Sequence, residues 1–364
     1  MTAATKTTDS HNIPSGAVAR LSVIDTGAYL SSIPSALFLG PPVQGFENIP
    51  DRSPAWSFLV ESPTGKKAVF DLSLSKDLRH VTPSFIQQAV QCNASAEAPK
   101  DVAQVLSENG VALESVQSIV WSHWHMDHVG DPSTFPNSTE VVVGPRGKED
   151  IYPMYPERED AELHENILKG KTVREITFDG GLKFYGLDAL DFFGDGSFYL
   201  VDMPGHTLGH IGGLVRTTSN PDTFAVLGGD AYHSAGELRP TTYKPLPEDI
   251  PNHDSLFSAG SKYSSCPCLF FKHLQEKRDR TIEQPFFEVV QGHDVVAAND
   301  TLRKSQFPDA QDHLIYLSAH DDALRGVFDF YPKSANNWKE LGWKAKIDWD
   351  FLRHLVKGLD GEEQ

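Results

Sequence analysis

The sequence predicts a mixed α/β (α+β) fold in which sheets and helices stack in layers. Three observations predict it. Short apolar runs with strand character outnumber helical stretches, the two kinds are interspersed along the chain, and 39% of the 364 residues are apolar, enough for a sizeable core. Residues 1–16 are small and polar and are expected to be disordered. Val18, Leu21, Val23 and Ile24 then spell a strand that runs into Asp25-Thr26-Gly27. Proline and glycine are dense from Ile33 to Pro54, which predicts a long irregular loop. Trp56 to Glu61 and Lys67 to Leu72 flank Ser62-Pro63-Thr64-Gly65, a turn between two strand-like runs and so a hairpin.

Pro99 to Gly110 reads as a helix. Pro99 suits its first turn, Val102, Val105 and Leu106 share a face, and Gly110 stops it. Strands are expected at 116–121, 140–143, 182–185, 197–201, 211–215, 223–227 and 314–317. Helices are expected over 146–170 and 268–282, and a last helix over 338–359.

Acidic residues number 50 against 32 basic, so the net charge is 32 − 50 = −18. Such a surface repels phosphate backbones and anionic membranes, which excludes nucleic acid and membrane surfaces as expected partners. Cys92, Cys266 and Cys268 are too few for a disulfide framework, and Cys266-Pro267-Cys268 lacks the second pair a structural zinc site needs. The N-terminus has no apolar signal core and no apolar run reaches the ~18 residues of a membrane span, so a cytoplasmic protein is expected. The acceptor-like triplets beginning at Asn93, Asn137 and Asn299 are then chance matches.

The segment Trp121-Ser122-His123-Trp124-His125-Met126-Asp127-His128 carries the chemistry. With 15 histidines in 364 residues, three histidines and an aspartate at a preset spacing arise by chance on the order of 10⁻³ times per chain. In extended backbone His123, His125 and Asp127 project to one side, and His128 points elsewhere, toward a second ion. Imidazoles suit zinc and a carboxylate adds a harder ligand. Further ligands are needed, and three stand alone after an apolar run and small residues: His206 after Phe198–Gly205, Asp230 after Phe224–Gly229, and His320 after Leu314–Ala319. His293, behind Val289–Gly292, is the rival to His320.

These residues resemble the metallo-β-lactamase superfamily over roughly residues 17 to 325. The His-x-His-x-Asp-His motif is His123, His125, Asp127 and His128; Pro204 to His210 matches Pro-Gly-His-Thr-x-Gly-His; Gly229-Asp230, Ala319-His320-Asp321 and Phe70-Asp71-Leu72 match three shorter elements. The resemblance implies one αβ/βα four-layer sandwich over residues 17–364, with two Zn²⁺ ions at an open edge. By position His123, His125 and His206 would hold one ion, Asp127, His128 and His320 the other, with Asp230 bridging. The pattern is most similar to N-acyl homoserine lactonases and their fungal lactonase–lactamase relatives. The lactonase tyrosine expected three residues after Asp230 is His233 here, and Tyr232 stands one place early. The stretch from Ala231 to Ala319 is long for a minimal lactonase and suggests a cap insertion at about 236–300.

The implied reaction opens a lactone or lactam ring. Two cations lower the pKa of a shared water toward 7, giving a hydroxide that attacks the carbonyl carbon. Asp127 is the expected proton acceptor and donor, and Tyr232 and His233 are candidates to hydrogen-bond the carbonyl or the leaving group. His210 is expected to orient the His206 loop, and Asp71 and Asp131 to support ligand histidines. The wall of the site is expected from the loop before Pro54 and from residues 236–290. Phe192-Phe193, Phe270-Phe271 or Phe286-Phe287 would make it suit an apolar or aromatic small molecule, and Arg239 would be a substrate clamp or a surface ion pair. Competing readings are a glyoxalase II-like or acyl-carrier thioesterase and a non-catalytic metal-binding module.

Overall fold

The computed structural model describes residues 11–248 and 267–356. Six strands form a first sheet in the order β1 (Arg20–Ile24), β2 (Ser57–Glu61), β3 (Lys67–Phe70), β4 (Ser118–Val120), β5 (Glu140–Val143) and β6 (Val173–Glu175). The β1–β2–β3 meander is antiparallel; β3, β4, β5 and β6 run parallel, with Ala68 opposite Ser118 and Ser118 opposite Glu140. A second sheet follows in the order β7 (Leu182–Phe184), β8 (Leu187–Asp191), β9 (Phe198–Asp202), β10 (Ile211–Thr218), β11 (Thr223–Leu227) and β12 (Leu314–Leu317). It is antiparallel except for the β11–β12 pair.

Alternation assigns the strand faces. Leu21, Val23, Phe58, Val60 and Phe70 of the first sheet meet Phe198, Leu200, Val215, Ala225 and Leu317 of the second in one central core. The outer face of the first sheet, with Val69, Ile119 and Val141, packs on helix α2 (Val102–Glu108) through Val102, Val105 and Leu106. The outer face of the second, with Tyr199, Leu214, Val226 and Tyr316, packs on helix α6 (Val295–Asp309) through Ala298 and Leu302. The result is the αβ/βα sandwich.

All the strands expected from sequence are present. The helices differ more. The expected helix over 146–170 is only one turn, α4 (Gly147–Ile151), because Pro153 and Pro156 remove donors just beyond it; a 3₁₀ turn at Glu165–Leu168 follows. The helix over 268–282 is α5, Pro267–Glu276. The closing helix over 338–359 is broken into a 3₁₀ turn at Asn336–Trp338, α7 (Trp343–Ile347) and α8 (Leu352–Leu355), with Gly342 at φ 63° between the first two; residues 357–359 lie outside the described residues. Three helices went unforeseen: α6, α1 (Pro83–Cys92) and the short helix at Met126–Val129.

Of the N-terminal stretch expected to be disordered, residues 1–10 lie outside the described residues. Residues 11–16 run along the second sheet: the Asn12 N–H donates to the Lys183 carbonyl at 3.1 Å and Ile13 packs beside Leu182. Within the expected cap insertion, 249–266 lie outside the described residues. Of the rest, Leu238, Val289 and Ala298 join the core behind the second sheet, while Phe271, Phe286 and Phe287 meet Leu39, Phe46 and Phe351 in a satellite core. Among the described residues no helix is long and apolar enough to cross a membrane.

Candidate active site

The ends of five strands converge on one edge of the sandwich. Strand β3 leads to Asp71, β4 to the His123–His128 segment, β9 to His206, β11 to Asp230 and β12 to His320. Two of these approaches need glycine. A Cβ on Gly229, at φ 50°, would sit 2.7 Å from Ser122 Cβ and 2.9 Å from His210 Nε2. One on Gly205, at φ 133°, would sit 2.1 Å from the Ala298 nitrogen at the start of α6.

His123, His125, His206 and Asp230 form one cluster of donor atoms, and Asp127, His128 and His320 a second; within each, the atoms lie within 4.8 Å of one another. His125 Nδ1 stands 2.9 Å from His123 Nε2 and 3.0 Å from His206 Nε2. Asp230 lies between the clusters. Its Oδ2 is 3.6 Å from His206 Nε2 and 3.9 Å from His123 Nε2, while its Oδ1 is 3.2 Å from His128 Nε2 and 3.1 Å from His320 Nε2. Asp127 Oδ2 completes the second cluster, 3.4 Å from His320 Nε2. The structure thus brings all seven sequence-predicted donors together. The extended period used to place Asp127 beside His123 and His125 does not hold, because helix α3 (Met126–Val129) begins after His125 and swings Asp127 and His128 toward the second cluster.

The donor set fits divalent metal ions. His128 Nε2 and Asp230 Oδ1 are buried polar atoms without a hydrogen bond. The two imidazole nitrogens flanking His125 Nδ1 stand 2.9 and 3.0 Å from it, near the ~3.3 Å edge of a tetrahedron with ~2.0 Å bonds. The outer nitrogens are fixed by acceptors. The His128 Nδ1–H donates to Asp71 Oδ2 at 2.9 Å, and the His320 Nδ1–H donates to the Pro54 carbonyl at 2.7 Å, so each directs Nε2 inward. Asp71 is itself held by the Ser122 N–H at 2.7 Å and the Ser122 hydroxyl at 2.8 Å. His210 accepts from the Asp230 N–H at 3.0 Å, so it pins the central aspartate as well as the His206 loop. Burial drops the His210 pKa to about 3, which keeps that ring neutral. Burial also holds His123 and His206 well below the ordinary imidazole range. At Asp230 burial opposes ionisation, but His128, His320 and His233 outweigh it and hold the carboxyl well below its usual range.

The His206 loop is also fastened from the side sequence reasoning missed. The His293 and Asp294 N–H groups donate to the His206 and Gly205 carbonyls at 3.1 and 2.9 Å, and the Thr301 hydroxyl donates to the Pro204 carbonyl at 2.9 Å. His293, the rival to His320, is exposed beside Trp124 at the cavity rim.

A cavity of about 460 Å³ opens onto the two clusters. Leu30, Ile33, Leu37, Phe38 and Ile49 supply one wall, as expected of the long loop. Further lining comes from α1, through Phe85, Ala89 and Cys92, and from the strand after it, whose Ala96 pairs with Leu30; among the described residues none of the expected wall from 236–290 takes part, and 249–266 lie outside them. None of the three phenylalanine pairs faces the cavity: Phe193 lies in the central core and the other two pairs in the satellite core. His233 does face it, its ring stacked on Phe38 at 4.1 Å and its Nε2 3.4 Å from Asp230 Oδ2. Tyr232, the other candidate, is placed elsewhere: it is 3% exposed in the core behind the second sheet, its ring toward Tyr316, because the chain turns it away from its neighbour His233. Arg239 is neither a clamp nor a surface pair; it is buried in an ion network with Asp309, 2.8 Å from Nε to Oδ2, and with Asp348 and Lys244. Asp131 faces His80 at 3.3 Å and no donor histidine.

A fold of two facing sheets with a histidine–aspartate cluster at the ends of their strands defines a class of metal-dependent hydrolases. The family model described as the metallo-beta-lactamase superfamily matches residues 50–249, and the chain belongs to that superfamily. It is 40% identical over 341 residues to the gamma-lactamase FDB1 of Fusarium pseudograminearum, covering 90% of this chain and 80% of that one. It is 37% identical over 345 residues to the metallo-hydrolase mfmC of Annulohypoxylon moriforme, covering 93% and 87%. A crystal structure of a quorum-quenching N-acyl homoserine lactone lactonase superposes with a TM-score of 0.52 at 16% identity, covering 88% of this chain and 99% of that one, which bears on the fold alone. The chain is accordingly an enzyme, a metal-dependent hydrolase, and the reading as a non-catalytic module falls away.

Proposed function

We propose that the chain is a dinuclear hydrolase that opens a cyclic ester or amide, a lactone or lactam. The observation that carries the reading is Asp230, whose two oxygens face separate donor clusters at the wall of a largely apolar cavity. His123, His125 and His206 would hold one ion and Asp127, His128 and His320 the other, with Asp230 shared. The ions, zinc by the preference of imidazole-rich sets, would supply an activated water and Lewis-acid stabilisation of the oxyanion.

The chain's own groups do the rest. Asp127 borders both the cavity and the second cluster, so its carboxylate takes a proton from the attacking water and returns it to the leaving oxygen or nitrogen. His233 lines the same space with both ring nitrogens free of hydrogen bonds and its ring stacked on Phe38, so it is the group available to hydrogen-bond the carbonyl or the leaving group. Phe38, Phe85 and the aliphatic wall exclude water and bind an apolar or aromatic body. The name of FDB1 as a gamma-lactamase favours a five-membered ring. A thioesterase acting on anionic carriers is disfavoured, since no lysine or arginine lines the cavity among the described residues.

The test is a panel of γ-lactones, γ-lactams and thioesters with metal-loaded protein and the Asp127→Ala variant. Ring opening with two ions per chain, abolished by chelation and lowered at least 100-fold in the variant, is expected. Turnover of thioesters alone would refute the ring-opening reading.

A further inference from the structure

Resting on that reading, the cavity wall carries a carboxylate that the reaction does not use. Glu162 lines the cavity beside α1. Its main chain is fixed: the Thr82 hydroxyl donates to the Glu162 carbonyl at 3.1 Å, and the next residue, Leu163, pairs with Val81. The side chain is fixed on one side only. Gln88 Nε2 of α1 donates to Glu162 Oε1 at 2.9 Å, and among the described residues nothing donates to Oε2 and no lysine or arginine pairs with the carboxylate.

Glu162 lines the same cavity as His125 and Asp127. Asp127 and Asp230 would be matched by metal ions, but Glu162 belongs to neither donor cluster. When an apolar body fills the cavity, water is driven from Oε2, and a carboxylate stripped of water must find a donor or bind weakly. A substrate N–H or O–H opposite Oε2 restores the bond, whereas a substrate anion there meets like charge.

We propose that Glu162, oriented by Gln88, is a specificity residue that selects lactones or lactams bearing a neutral or cationic hydrogen-bond donor away from the scissile carbonyl, and rejects carboxylated or phosphorylated ones. The test uses the full-length, zinc-loaded chain and γ-butyrolactones or γ-lactams carrying a phenyl, hydroxyphenyl or carboxyphenyl group. Opening of the phenyl compound by the unaltered protein tests the ring-opening reading alone. The inference is read from ratios of kcat/KM. The hydroxyphenyl-to-phenyl ratio is expected to fall about tenfold in Glu162→Gln, mainly through KM, as for loss of one charge-assisted hydrogen bond. The carboxyphenyl compound is expected to be the poorest for the unaltered protein and to gain most in Glu162→Lys. Ratios that stay put in both variants, or an unaltered protein that prefers the carboxylate, would overturn it. Should all rings stay closed, the reaction reading fails, and calorimetric binding constants of the same three compounds still judge Glu162.

Discussion

Asp202 illustrates how one partly buried carboxyl sets a pH dependence apart from the reaction. It ends β9, and burial, reinforced by Asp188, raises its pKa to about 6 against the pull of Lys304 and Lys183. The folded chain therefore binds this proton more tightly than the unfolded chain does. The penalty for the charged form is absent below about pH 4, grows through pH 4–6 and is complete above pH 6, where it amounts to roughly 2–3 kcal/mol. Asp202→Asn should raise Tm at pH 8 and lose that advantage as pH falls to 4; an equal Tm difference at both pH values would count against the assignment. At the same scale the donor residues were legible in the sequence, because His123, His125, Asp127 and His128 crowd one short segment and His206, Asp230 and His320 each follow an apolar strand and small residues. Glu162 was not, since nothing local marks a glutamate that matters through a cavity assembled from distant segments.

Strands proved easier to read than helices. Each strand carries its signal in a short buried run, such as Phe224–Leu227, in which every residue is buried. Helix α1 had a readable start, Thr82 as N-cap with Pro83 at its first position, yet none of its residues is buried: Phe85 and Ala89 line the cavity while Ile86 and Val90 are exposed, so no core-facing stripe marks it. Helix α6 mixes Ala, Asn, Thr and Ser on its packed side, which blurs the apolar period that would have revealed it. The prolines after α4 and the glycine before α7 outweighed helical patterns on either side. Because α1 buries so little, its cap matters. Thr82 Oγ1 accepts the Phe85 N–H at 3.3 Å while its hydroxyl holds Glu162. Removing the hydroxyl in Thr82→Ala should cost about 1 kcal/mol locally. Amide exchange over residues 83–92 should then speed up roughly fivefold, with Thr82→Ser restoring it; unchanged exchange would show that α1 is held by other contacts.

At the scale of the whole molecule, the two sheets meet mainly through side chains of the central core, and at one edge histidines and aspartates of both converge. His123, His125, Asp127 and His128 hang from the first sheet; His206, Asp230 and His320 hang from the second. On the proposed reading, ions held there would join the sheets as well as serve the reaction, and they would bind the folded chain alone, since the unfolded chain scatters the donors over about 200 residues. Each site filled at a hundredfold excess over its Kd adds about 2.7 kcal/mol of stability. At a few degrees per kcal/mol for a chain of this size, stripping both ions with a chelator should lower Tm by on the order of 10 °C. Zinc added back should restore it. His206→Ala, which removes a donor contributed by the second sheet, should start from the lower Tm and respond less to the chelator. A melting curve indifferent to chelation in a chain that carries two ions would mean that the metal edge adds nothing to the joining of the sheets and that the apolar core alone holds them together.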